Sequence, residues 1–183
     1  MSDSGAASAS GPGSAKRIPP PPPPRRPTIR AKQGGWPRSV AEMRAALDLD
    51  AEQSSLPYQR ARLFQAVDNV KAAHETERAN AIATLVYDAL RAAVDVHVNV
   101  SGLKITGKDQ HQISVEYAHA ELTNIISTDD LEIYDELRLV RNRVVEYPPI
   151  GNFMPPTKDE AARYLASADR FVAAIDTWWR AAQ

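Results

Sequence analysis

The chain has 183 residues, 43% apolar and 25% charged, enough for one compact domain with additional unstructured chain but too few for a large multidomain enzyme. It contains no cysteine, which excludes a disulfide scaffold, a thiolate metal site, an iron–sulfur cluster and a cysteine nucleophile, and fits a cytoplasmic setting. The formal net charge of −1 conceals an asymmetry, because residues 1–39 carry seven Lys or Arg against Asp3, a net +6, which leaves −7 on the remainder.

Nine of the fourteen prolines fall in residues 1–39, six of them consecutive from Pro19 to Pro24, and five of the eight glycines precede Trp36. Such a composition buries too little apolar surface to offset chain entropy. Residues 1–37 are therefore expected to form a disordered basic arm, with an extended polyproline II stretch over Arg17 to Arg30. An arm of this kind suits an aromatic-lined groove, an acidic surface or nucleic acid, and serves equally well as a solubilising spacer. Lys16 and Arg17 are followed by prolines and not by the apolar segment of a secretory signal. No apolar run reaches the roughly eighteen residues of a membrane span. The most hydrophobic stretch is interrupted by Asp88, Arg91 and Asp95, so no membrane partner is expected.

From Ser39 the pattern becomes that of amphipathic helices. Ser39 and Glu42 form a capping box for a short helix over about 39–48. Leu63, Val67, Val70 and Ala73 mark a second helix over about 57–74, with Pro57 in its first turn, where a missing amide proton costs little. Ile82, Leu85, Val86, Ala89, Ala93, Val96 and Val100 recur at three- and four-residue steps in a third, longer helix, and Gly102 supplies the positive-φ residue that ends it. Residues 103–109 read as a connection. Val115, Ala118, Leu122, Ile125 and Ile126 describe a fourth helix starting near Asp109.

Thr128 is expected to cap a fifth helix, acidic at its start and carrying Arg138, Arg141 and Arg143 near its end, in accord with the helix dipole. Pro148 and Pro149 stop it. A proline-rich loop leads to Thr157 and Glu160, a second capping box, and to a last helix over about 158–181 with Ala161, Leu165, Ala168, Val172, Ile175 and Trp179 as its apolar stripe. No segment reads as a strand. The chain thus predicts an all-α antiparallel bundle of about five helices, divided into the arm over 1–37, a short helix and linker over 38–55, and the bundle over 56–183.

The four histidines, His74, His97, His111 and His119, form no metal-binding spacing with one another, His111 and His119 being eight residues apart. No metal is expected, and with no glycine-rich phosphate loop no cofactor either. Chemistry concentrates instead in Leu137 to Pro149 (LRLVRNRVVEYPP), where three arginines lie beside an apolar stripe. Arg138 and Arg141 share a helix face, where a partly desolvated guanidinium grips a phosphate well. The structural alternative is that these cations stabilise a helix end and that Asp135 pairs with Arg138.

This region resembles the HEPN superfamily of small all-helical domains, whose mark is an Arg, commonly followed by a polar residue, with a His a few positions later. Arg141-Asn142 matches the first half. The long helix from Tyr87 to Gly102, Gly107 with His111, Tyr147, and the helix from Thr157 to Trp179 resemble the wider pattern, so the likeness covers about residues 57–181. It implies a homodimer that brings two Arg-centred motifs together and, in active members, cleaves RNA without metal, as in toxin–antitoxin or defence systems. In that scheme Arg141 and Asn142 are catalytic, with Arg138, Arg143 and His111 as substrate-binding residues. The fifth position after Arg141, where the His is expected, holds Glu146, followed by Tyr147, and these two complete the catalytic set that the resemblance implies. A solvated Glu titrates near about 4.3 and Tyr near about 10, so a proton carrier at neutral pH calls for a shifted environment or for an imidazole from elsewhere, His111 or His119.

Two functional classes follow. One is a HEPN-like ribonuclease with RNA as substrate and a possible antitoxin as partner. The other is a catalytically inactive helical module that binds a protein or RNA. The −7 body argues against broad electrostatic binding of nucleic acid, which leaves the arginines over 138–143 and the arm as the available cationic patches.

Overall fold

A computed structural model describes residues 36–141 and 155–183. The proline-rich arm and the candidate residues Asn142, Arg143, Glu146 and Tyr147 lie outside the described residues. In chain order the elements are α1 (Val40–Ala45), β1 (Leu49–Ala51), α2 (Leu56–His74), α3 (Ala79–Val100), β2 (Leu103–Ile105), α4 (Gln110–Glu121), α5 (Thr128–Arg141) and α6 (Lys158–Ala181). They form the expected all-α helical bundle. No helix among the described residues is long and apolar enough to cross a membrane.

The bundle is built around α3, which packs against α2, α4, α5 and α6. Its sequence explains this position. Val86, Tyr87, Ala89, Leu90, Ala93, Val94 and Val96 are all fully enclosed, so the helix is apolar over much more than one stripe, as a central helix must be. Burying a side chain such as Leu90 contributes about 1.5–3 kcal/mol. Along α6, Ala161, Ala168, Val172, Ile175 and Trp179 are buried as the spacing predicts, joined by Tyr164 and Phe171. Trp179 Nε1 donates to Gln59 Oε1 of α2 at 3.3 Å, which satisfies the indole in a buried setting.

Both predicted capping boxes are present, Ser39 with Glu42 and Thr157 with Glu160. Gly102 has φ +70° and ends α3. Gly107 answers a different demand: a Cβ there would collide with Asp48 and Ile113, so the glycine permits close approach. α1 ends in a Schellman motif, in which Leu47 N–H donates to Arg44 O and Asp48 N–H donates to Met43 O. Leu47 takes φ 59° there and is exposed.

Four expectations need correction. α4 ends at Glu121, so Ile125 and Ile126 of its predicted stripe fall in the turn that precedes α5. Two short strands exist where none was expected, paired antiparallel with Leu49 opposite Ile105 and Ala51 opposite Leu103. Each has three residues, too few for an alternation to register. The cap of α5 is Ser127 and not Thr128: Ser127 Oγ accepts from Asp130 N–H at 3.2 Å and donates to Asp130 Oδ2 at 2.8 Å. On α2, Val67 is 45% exposed, because the buried face follows Gln59, Leu63, Ala66, Val70 and Ala73.

Candidate functional site

α5 presents Leu131, Tyr134 and Leu137 to the core, all fully buried. Arg141 lies seven residues after Tyr134 and so continues that inward register at the end of the described helix. Its stem leaves the core and its guanidinium emerges over α3, with 19% of the side chain exposed. Beside α5 runs α4. His119 Nε2 lies 3.2 Å from Leu131 O, Ser114 Oγ 2.8 Å from Tyr134 Oη, and His111 Nε2 3.3 Å from Arg141 Nη1. Residue numbers fall along α4 as they rise along α5, so the two helices are antiparallel, and this register sets His111 opposite Arg141.

The third wall is α3. Tyr87 Oη is 2.6 Å from His111 Nδ1, and the Tyr87 ring lies under the Arg141 guanidinium with 5.4 Å between Cζ and the ring centroid. One turn further, Arg91 Nη1 lies 3.4 Å from His111 Nδ1, and Arg91 Nη2 donates to Gln110 Oε1 at 3.2 Å. Asp88 Oδ1 stands 3.6 Å from Arg141 Nε. Arginine only donates. The Arg141 contact therefore needs a lone pair on Nε2 and the Arg91 contact one on Nδ1, so a neutral imidazole serves one or the other; with the ring proton on Nδ1, Tyr87 Oη accepts it and Nε2 serves Arg141.

Burial dominates the electrostatics. It pushes the Tyr87 phenol up to about 12, against the opposing charges of Arg91, Arg141 and Arg138, so this tyrosine stays neutral. Burial also raises Asp88, again opposed by Arg141 and Arg91. The result is an imidazole held between two guanidinium groups at a half-buried surface. Guanidinium planes match phosphate oxygens bidentately, and an imidazole nitrogen with a lone pair accepts a proton.

The other predicted residues fall elsewhere. Arg138 is engaged by Asp135, with Nη2 to Oδ1 at 2.9 Å and both side chains largely buried, which is the pairing expected from their spacing. The His119 ring lies against Trp36, tilted by 59° at 4.6 Å between centroids. His97 is buried against Trp178 at 4.2 Å and shares a 2.9 Å hydrogen bond with Tyr117. His74 faces Asp169 at 3.0 Å on the surface. No group of three or more candidate metal ligands occurs among the described residues.

Sequence reasoning missed Tyr87, Asp88 and Arg91 as site residues. A signal was present: Asp88, Arg91 and Asp95 stand three and four residues apart in an otherwise apolar helix, and that spacing puts them on one polar face. Asp95 continues that face, where Arg62 of α2 approaches to 3.1 Å. Comparison with protein-family models, curated proteins and solved structures finds no match.

Proposed function

We propose that this protein is a HEPN-like, metal-independent endoribonuclease of the toxin or defence type, acting in the cytoplasm, in which Arg141 holds the scissile phosphate and His111 takes the proton of the attacking 2′-hydroxyl. The observation that carries the reading is the 3.3 Å contact between Arg141 Nη1 and His111 Nε2, two residue types that divide phosphodiester cleavage between them. When a phosphate takes the Arg141 donors, the Nε2 lone pair that Arg141 occupies is released to the 2′-hydroxyl of the neighbouring ribose. The 2′-oxygen bonds to phosphorus as its proton passes to Nε2, the bond from phosphorus to the 5′-oxygen breaks, and the departing oxygen takes a proton from solvent. The products are a 2′,3′-cyclic phosphate and a 5′-hydroxyl. Arg91, across the ring at Nδ1, adds to the positive field of the site as the phosphorane forms. In this reading His111 supplies the imidazole that the motif lacks at Glu146.

The reading is tested by incubating purified protein with a mixed single-stranded and hairpin RNA in EDTA from about pH 5 to about pH 9, a range that spans imidazole titration. Cleavage leaving cyclic phosphate ends, lost in Arg141→Ala, supports it. A second reading, a catalytically inactive helical module for a protein or RNA partner, is favoured by Glu146 at the motif position. It becomes the better account if the wild-type protein binds RNA or a protein partner and does not cleave.

A further inference from the structure

Beside the first turn of α4, on the flank that carries Asp109 and Gln112, lies a cavity of about 450 Å³, within the range of about 300–1,000 Å³ that small-molecule sites occupy. Its walls come from three separate stretches of chain, at Arg38, at residues 46–48 after α1, and at residues 106–113. The back of the cavity is fixed by hydrogen bonds. Arg38 donates from Nη1 to Asp48 Oδ2 at 2.8 Å, and from Nε and Nη2 to the two carboxylate oxygens of buried Glu116 at 2.9 and 2.7 Å. The amide groups of Thr106 and Gly107 donate to Asp48 O. Gly107 has no side chain to fill the space, and a Cβ there would strike Asp48 and Ile113.

The front of the cavity is different. Lys108, Asp109 and Gln112 line it, and none of them makes a side-chain hydrogen bond or ion pair among the described residues. Leu47 lines it too, with its backbone in the left-handed region at φ 59° and its side chain 74% exposed. A strained residue that leaves an apolar side chain in solvent marks a place where function uses that side chain. The cavity thus offers an apolar cover, a carboxylate that only accepts, an ammonium that only donates, and an amide that does both. Among the bases of RNA, guanine alone carries two adjacent donors, N1–H and the exocyclic amino group, beside an acceptor, O6. Adenine, cytosine and uracil each offer a carboxylate one donor group on that edge. Unstacked bases are read in this way, by hydrogen bonds to their edges and by contact with their faces.

We propose that this cavity binds a guanine base, with Asp109 accepting from N1–H and the amino group, Lys108 and the Gln112 amide donating to O6 and N7, and Leu47 covering the ring face. His111 immediately precedes Gln112 in the same helical turn, so the cavity and the Arg141–His111 pair flank one end of α4. A guanine of the RNA strand held there rests on the ribonuclease reading and gives that reaction a sequence preference. A free guanine nucleotide presents the same edge and is the other source of the ligand.

The test is isothermal titration of the full-length protein with a 2′-O-methyl oligonucleotide containing one guanine, the same oligonucleotide with adenine in its place, GMP and AMP. The methyl group removes the attacking hydroxyl, so binding is read without cleavage. We expect guanine to bind about tenfold more tightly than adenine, Asp109→Asn to abolish that preference, and Leu47→Gly to weaken both bases, with circular dichroism checking that helix content is retained. A preference seen in the oligonucleotide, with overall affinity lowered by Arg141→Ala, assigns the base to the strand; GMP binding as tightly as the oligonucleotide, and indifferent to Arg141→Ala, assigns it to a free nucleotide. Equal binding of guanine and adenine in both forms overturns the proposal, and so does a guanine preference that survives Asp109→Asn. The two readings fail separately. A protein that cleaves RNA and binds guanine no better than adenine loses the pocket and keeps the ribonuclease, whereas one that prefers guanine and cuts no RNA keeps the pocket and loses the ribonuclease.

Discussion

The hydroxyl of Tyr87 sits 2.6 Å from His111 Nδ1 while its ring lies beneath the guanidinium of Arg141, so one fully buried side chain of the central helix touches both residues to which we assign chemistry. The tyrosine is itself fixed from behind, stacked on Tyr134 at 5.6 Å, whose hydroxyl is held by Ser114. A rigid aromatic column thus supports the imidazole and the guanidinium at the surface. Groups that must meet a reacting phosphate benefit from this, since small misplacements of catalytic groups are costly.

Tyr87→Phe keeps the ring under Arg141 and deletes only the oxygen that orients His111. Cleavage should fall about 10- to 100-fold. The loss should appear in kcat and not in KM, because the phosphate-holding arginine is untouched. Stability should drop by about 1 kcal/mol for the lost hydrogen bond. Steady-state kinetics and urea denaturation of the variant check both parts.

His97 gives a prediction about pH. Burial lowers its imidazole from 6.5 to about 4, so the folded chain resists a proton that the unfolded chain accepts. Between these values the unfolded state binds more protons, and stability must fall as the pH is lowered. The contribution is complete above about pH 6.5 and declines by about 3 kcal/mol on descending to about pH 4. Urea midpoints measured over that window should slope with pH in the wild type and slope much less in His97→Gln.

Leu47 offers a gain in stability. It occupies the left-handed position of the Schellman motif after α1, where glycine is the usual residue, and its side chain is 74% exposed, so little packing is lost on removing it. Left-handed backbone costs an ordinary residue about 1–2 kcal/mol, part of which the greater chain entropy of glycine cancels. Leu47→Gly should raise stability by about 0.5–1 kcal/mol, seen as a higher urea midpoint at unchanged slope.

The helices were legible because their signals are local. The stripe of α6, the two capping boxes and the Gly102 stop each depend on residues within a few positions of one another, and each appears as expected. Val67 misled because an exposed apolar residue carries the same letter as a buried one, and only the packing of α2 on α3 and α6 separates Leu63 from Val67. The site was half legible. Arg141 and His111 both stood out by residue type, but their meeting depends on the antiparallel register of α4 and α5, which joins positions thirty residues apart. Tyr87 was read only as part of a long apolar helix, and its role becomes visible once two other helices are set beside α3.

The most direct test of the central claim is single-turnover cleavage of a labelled RNA in EDTA by the wild type, Arg141→Ala, His111→Ala and the double variant. If guanidinium and imidazole act on one phosphodiester, each single substitution costs about 10²–10⁴ in rate, and the double variant is hardly slower than the worse single one, because groups that work as a unit are not additive. Cleavage at the wild-type rate in His111→Ala would contradict the account and move the proton transfer to another residue.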